Sequence, residues 1–392
     1  MSRSRQSGFA HLVLILVLVA VVLGVGAFAV IRSKRLSKQI GSDSWKSGCK
    51  GDQRVMLSHT PMDLADIDTI MPMGLTAGAH VTPIDHLYYY PKAKERDAVP
   101  VYAMADGAII EISERTQMVD TGKNRPAEYR LVFQHSCQTI SYFDLVTSLD
   151  PDIMKQWKSQ KLGTRINVKA GQVIGRIGGQ SLDTAVYNLN LTLPGFLHPA
   201  MYTSEPWKIH ADDFFSYFED PLKSQFLAIN QRKILPYSGK IDYDQAGKLI
   251  GNWFIQGTNG YAGPAGDQKP SSNGKGYWTG HLSIHYDPID GKSIVVSIGE
   301  FGDTGQPQAF GVAGNSPDPA TISSSSGIVK YDLVAKQPGG APTQQQDKGT
   351  PKTMGVVLFQ VQAGEKLKVE IIQGKSSNDV SDFSGATKTY ER

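Results

Sequence analysis

The stretch Val168-Lys-Ala-Gly-Gln-Val-Ile-Gly-Arg-Ile-Gly, ending at Gly178, decides how this chain is read. Its apolar residues sit around Gly171 and Gly175, the pattern of strand, turn, strand, and Gly178 ends it. An earlier segment, Val101-Tyr-Ala-Met-Ala-Asp-Gly-Ala-Ile-Ile-Glu-Ile, repeats the scheme. Glycine is needed in such units because the backbone takes a positive φ or passes close to another strand. Repeated units of this kind predict a barrel-sandwich hybrid. A biotinyl or lipoyl carrier on that fold would present a lysine at a Met-Lys-Met-like tip, and none of these turns has one.

Around the two units, β-branched and aromatic runs bounded by turn signals predict further strands. They are 86–90, 99–104, 108–113, 129–134, 139–145, 173–177 and 187–193. Residues 151–160 are the one helical insert, with Asp150 as its N-cap. Residues 63–70 read as a short helical turn. Composition agrees with a β-rich chain: 40 glycines in 392 residues, 40% apolar and 20% charged. A formal charge of +3, with no basic patch interleaved with aromatics, argues against nucleic acid as a partner. The two cysteines, Cys49 and Cys137, form no CxxC pair, which excludes a structural zinc knot. They are expected to join in a disulfide that pins the N-terminal segment to the domain.

Residues 1–11 are a short basic N-terminus. Leu12–Ile31 is a run of twenty apolar residues, long enough as a helix to span roughly 30 Å of hydrocarbon. It is flanked by Arg3 and Arg5 before and Arg32, Lys34, Arg35 and Lys38 after. It reads as an uncleaved single-pass anchor in membrane lipid, followed by a polar stalk over 32–60. Next comes Gly74–His86, where His80, Asp85 and His86 place two imidazoles and a carboxylate within seven residues. A plain reading of the residues makes this a capped turn; a functional one makes it the opening of a metal site.

The order of the pieces over 61–200 resembles the lysostaphin-type zinc metallopeptidases, which cleave peptide cross-links of peptidoglycan. In that family a His-x-x-x-Asp segment is followed by a Val-x-Ala-x-x-Asp-Gly-x-Val hairpin and a Val-x-x-x-His strand. A Tyr-x-His-Leu segment, a Val-x-x-Gly-Gln-x-Ile-Gly turn and a closing His-x-His strand come after. Here the hairpin is Val101–Ile109, the strand is Leu131-Val-Phe-Gln-His135, and the glycine turn is Val168–Gly175. The resemblance implies metal ligands at His80 and Asp85, with one residue more between them than the family has. It implies Asp144 at the general-base position, in Tyr142-Phe-Asp-Leu145. It matches the closing His-x-His to Asn188-Leu-Asn190. A catalytic zinc needs about three imidazole or carboxylate donors and one open position, and an asparagine carbonyl is a weak zinc donor. The metal centre is therefore expected to be vestigial, with no cofactor, or with zinc if the site works. Asn188, Asn190, His86 and His135 are the candidate binding residues.

Residues 201–237 read as a helical linker and 238–392 as a second β domain. Its expected strands are 249–256, 277–286, 293–300, 308–312, 328–334, 356–362 and 367–372. Gly251-Asn-Trp253 on the first of them resembles the opening of lipocalin-type up-and-down barrels, where the Trp plugs one end; a β-sandwich is the alternative. His281 and His285 lack a third ligand and read as surface or pair-bonded histidines. No Ser-His-Asp set or P-loop is visible.

The fold class is thus mainly β: a membrane helix, a hybrid-like β domain, a helical linker and a second β domain. The function expected is that of a cell-envelope protein with its bulk outside the cytoplasm. Its peptidase-like domain would bind an envelope glycan, peptide or protein partner, peptidoglycan among them, without cleaving it. Two alternatives stand beside this: an active zinc metalloendopeptidase acting on peptidoglycan cross-links, and a lipocalin-like carrier of a small apolar ligand.

Overall fold

The two echoing glycine segments lie against each other. In the computed structural model β3 (Val99–Tyr102) pairs with β9 (Val173–Ile177), Val101 facing Gly175. β4 (Gly107–Arg115) pairs with β8 (Ile166–Val168), Gly107 facing Val168. The glycines do two different jobs. Gly171 turns the chain at φ 77°, whereas a Cβ on Gly175 would lie 2.5 Å from the Ser148 carbonyl, so there only glycine lets the backbones close.

The structure describes residues 44–115, 126–160, 163–266, 275–303, 305–336 and 352–392. The chain divides into Met1–Ser47 and Gly48–Arg392. The described part of the first unit holds a short 3₁₀ turn, Ser44–Lys46. The expected anchor over 12–31 lies outside the described residues, among which no helix is long and apolar enough to cross a membrane.

The remaining strands of the first β body are β1 (Ile67–Met71), β2 (Leu87–Pro91), β5 (Glu128–Gln134), β6 (Thr139–Val146), β7 (Ser148–Leu149) and β10 (Leu182–Asn188). They build a seven-stranded sheet, β1-β2-β10-β6-β5-β4-β8, and a three-stranded one, β3-β9-β7. Side chains alternate across each strand. Leu87, Tyr89, Phe143, Leu182 and Val186 enter the apolar core. Their neighbours Tyr88, Tyr142, Asp144, Asp183, Ala185 and Tyr187 therefore point to the opposite face. The insert helix α1 (Pro151–Ser159) starts as expected, Asp150 accepting from the Asp152 amide at 2.9 Å.

Three boundaries differ from the sequence reading. Part of the expected stalk is laced onto the domain: Leu57 is buried in its core, and Cys49 is bonded to Cys137 across a Cα separation of 5.0 Å. The expected helical linker is mainly 3₁₀ turns, with one α-helix, α2 (Leu222–Ile229). It is no free tether, because Phe214, Phe215, Phe218 and Phe226 belong to the first core. The closing strand occupies 182–188, five residues before its expected start. Leu189, Leu191 and Leu193 alternate like a strand, but Asn188 bends the chain there. Its side-chain oxygen accepts from the Asn190 amide at 3.1 Å and its carbonyl from Leu191 at 2.8 Å, an Asx-type turn.

The second β body is a closed barrel of eight antiparallel strands in sequence order. They are β11 (Gly251–Ile255), β12 (His281–Tyr286), β13 (Ile294–Phe301), β14 (Gln306–Val312), β15 (Val329–Ala335), β16 (Thr353–Gln362), β17 (Lys366–Gln373) and β18 (Lys388–Glu391). The last was not expected from sequence, and it closes the barrel by pairing with β11. Trp253 is fully buried at one end; its indole donates to the Leu249 carbonyl at 2.8 Å. The Arg392 guanidinium lies over its ring at 4.0 Å. The inside holds Leu282, Ile284, Phe310, Tyr331 and Phe359. The outer faces of β11 and β12 pack on the first body through buried polar contacts. Asn252 donates to the Tyr202 hydroxyl at 3.1 Å and accepts from Ser283 at 2.8 Å. His285 lies between Ser283 and Thr76. His281 and His285 are therefore buried, and burial holds both imidazoles well below the usual histidine range.

Candidate functional site

The polar face of the seven-stranded sheet forms the floor of a cavity. The linker segment with Glu205 and Lys208 and the barrel residues Tyr261 and Tyr277 form its other walls. His80, Asp85 and His86 all line it. They are brought there by a loop whose ends are tied, Gly74 donating to Ile84 at 2.7 Å and Ile84 to Leu75 at 3.1 Å.

His86 sits between two carboxylates. Its Nδ1 is 3.3 Å from Asp85 Oδ1 and its Nε2 is 3.4 Å from Asp183 Oδ2. Burial works against charge on the ring, but the hydrogen bonds and charges of Asp183 and Asp85 outweigh it, raising the pKa to about 9. The ring is an imidazolium at neutral pH. Asp85 is buried too, yet Lys208, His86 and Tyr187 hold it well below the usual carboxylate range. The Tyr187 hydroxyl donates to its second oxygen at 3.0 Å. Asp183 moves the other way, burial outweighing His86. The direction on His86 is the one that describes the pair, since it is the one cation held by two acceptors. His80 is exposed at the mouth. Although the residue keeps solvent-exposed surface, the atoms packed around its ring desolvate it, and with the charges of His86 and Lys208 this lowers its pKa, so it is neutral.

Asp144 does not lie open to a substrate. Arg115 and Arg130 both pair with it, Arg130 through Nε at 3.1 Å and Nη2 at 2.7 Å. Tyr142 donates at 3.0 Å and the Leu145 amide at 2.8 Å. Against the cost of burial, the two guanidiniums keep its pKa low. Buried and paired with two guanidiniums, this carboxylate is poorly placed to take a proton from a water, as a general base must.

The closing strand brings Asp183 opposite Asp144 and Ala185 opposite Tyr142. Asn188 and Asn190 are elsewhere. Asn188 donates to Asp212 at 3.2 Å and Asn190 to Asp52 at 3.2 Å. His135 is also outside the cavity: its Nδ1 meets the Asp106 carbonyl and its Nε2 the Ser141 hydroxyl, each at 2.8 Å. Of the candidate residues, then, His80, Asp85 and His86 come together. Sequence reading missed Asp183, Arg130, Glu205 and Lys208. Asp183 carried a faint signal, as the polar member of the alternating run Leu182-Asp-Thr-Ala-Val-Tyr187.

Of the donors that the resemblance assigns to a zinc, Asp85 is committed to other partners and the closing-strand asparagines lie elsewhere. Both Asp85 oxygens and both His86 nitrogens are turned to protein partners, Tyr187, each other and Asp183. Ala185, which faces the site from the closing strand, has no donor atom. Among the described residues no three His, Cys, Asp or Glu side chains are grouped as a metal set. The arrangement can instead hold a polar ligand between fixed charges and aromatic walls.

No family model matches the chain, and no curated protein does. Among solved structures it is similar to Csd3 of Helicobacter pylori, with 19% identity, TM-score 0.22 and coverage of 34% of this chain and 30% of that one. It is similar to a zinc-containing peptidase from Vibrio cholerae, with 18% identity, TM-score 0.23 and coverage of 33% and 36%. It is similar to lysostaphin, with 15% identity, TM-score 0.24 and coverage of 67% and 93%. The chain thus spans about a third of the first two structures.

Proposed function

We propose that this protein is a membrane-anchored component of the cell envelope, its body outside the cytoplasm, whose lysostaphin-like domain binds an envelope peptide without hydrolysing it. The observation that carries the reading is the state of the ionisable groups on the sheet face. Asp85, His86 and Asp183 satisfy one another, and Asp144 is clamped by two arginines. Asp85 and Asp144, two of the groups that the family resemblance would use for chemistry, are thus engaged in structure. What stays open is a cavity with aromatic walls and a few directed donors, the usual make-up of a binding site. The bonded cysteines support an oxidising compartment. The carrier alternative gains no support from the barrel, whose inner positions hold bulky side chains.

The test uses the full-length protein in detergent micelles. It is sedimented with purified peptidoglycan sacculi, its metal content is measured, and sacculi are assayed for newly released amino termini. We expect co-sedimentation without release. Stoichiometric zinc that disappears in His80→Ala, together with release of amines, would establish the peptidase alternative instead. Protein remaining wholly in the supernatant would remove the binding role.

A further inference from the structure

Lys208 is a buried cation on the linker wall of the cavity. It is 1% exposed and lines the cavity. Its Nζ donates one hydrogen bond, to the Pro83 carbonyl at 2.7 Å. Among the described residues no carboxylate forms an ion pair with it. The face of Tyr261 at 5.3 Å is its other neighbour of note, a weaker partner than an anion. Buried ammonium groups are ordinarily paired, because leaving water without a counter-charge is costly. Two of its three N–H bonds are thus available to a ligand.

Arg130 adds to this. It directs Nε and Nη2 at Asp144, and its Nη1 has no protein acceptor among the described residues. The acidic side of the cavity is engaged already: Asp85 accepts from Tyr187 and meets His86, and Glu205 accepts from Tyr261. The spare capacity is therefore donor capacity, next to two cations. The cavity measures about 60 Å³, room for about four waters.

We propose that this cavity captures the free C-terminal carboxylate of a peptide, with Lys208 and Arg130 donating to its oxygens and the tyrosines enclosing a small terminal side chain. The inference rests on the binding role proposed above and specifies which part of the peptide is recognised. Asp85 and Glu205 feel the charge of Lys208 without pairing with it directly; the ligand carboxylate would form that direct pair, and a charge-assisted contact of this kind discriminates sharply against a neutral end.

The experiment compares acetyl-alanyl-alanine, as the D,D and the L,L forms, with the corresponding C-terminal amides on the full-length protein in micelles. Calorimetry gives the affinity, and fluorescence of Trp207, which lines the cavity, reports occupancy. At least one free acid should bind saturably, with its amide at least about tenfold weaker. Lys208→Met should abolish that preference while the circular dichroism spectrum stays unchanged. Equal binding of acid and amide, or no binding of either, overturns the proposal without need of any variant. If neither probe binds but sacculi still sediment the protein, this inference alone falls. If sacculi fail as well, the binding role falls with it.

Discussion

On the outer face of the seven-stranded sheet, Asp85, His86, Asp144 and Asp183 are all buried; inside the barrel, comparably buried positions hold Trp253, Phe310, Tyr331 and Phe359. Both regions are built on antiparallel strands with alternating side chains. One closes on itself and needs nothing further. The other turns a charged face toward a second body and keeps a cavity there. A buried apolar ring contributes wherever it packs, whereas a buried charge is tolerated only with its partners in place. The barrel interior is held by apolar packing, whereas the sheet face holds fixed charges beside a cavity that Tyr261 and Tyr277 help to wall.

Removing the barrel's plug is the largest perturbation of this contrast. Trp253→Ala should destabilise the protein by about 3–5 kcal/mol, read as a lower urea midpoint; a loss under about 1 kcal/mol would mean the barrel is not close-packed around that ring. Next comes the disulfide, which links residues 88 apart. Its reduction, or Cys49→Ser with Cys137→Ser, should cost about 2–4 kcal/mol in the same measurement. Unchanged unfolding in reductant would show that the strand contacts alone hold the N-terminal segment.

The charged face makes a third and smaller prediction, on pH. The folded pKa of His86 is about 9, raised from an ordinary 6.5. Its contribution is therefore fully present below pH 6.5 and is lost as pH rises through 9. Because Asp183 is itself raised, the net effect is of the order of 1–3 kcal/mol. Denaturation midpoints should fall across that window in the unmodified protein, and Asp183→Asn should flatten the fall. A flat profile in the unmodified protein would show that His86 is not held as an imidazolium. Smallest is Asn190→Ala, which removes an exposed contact to Asp52. It should change stability by at most about 0.5 kcal/mol and leave sacculus binding unchanged; lost binding would return the asparagines to the site.

Much of the fold was legible because strands announce themselves locally. Val173–Ile177, the Asp150 cap and the Trp253 plug all depend on neighbours in sequence. Where the reading failed, the deciding contact was distant. The run after Asn188 alternates as well as the true strand does, and Asp183 is a poor strand former. What fixes the closing strand at 182–188 is pairing with β6 and β2 on either side. That shift moved the site from Asn188 and Asn190 to Asp183 and Ala185. Lys208 carried no sequence signal, since a lysine in a polar segment reads as exposed.

The sequence by itself determined a mainly β chain with two β bodies, a disulfide-capable cysteine pair and a cluster at His80, Asp85 and His86. These follow from composition, alternation and spacing, which act over a few residues. Only the tertiary structure decided that His86 lies between two carboxylates, that Asp144 is clamped, and that a linker lysine and barrel tyrosines complete the cavity. Those properties depend on which groups share a buried space, and the energy of a buried charge is set by the partners folding brings to it.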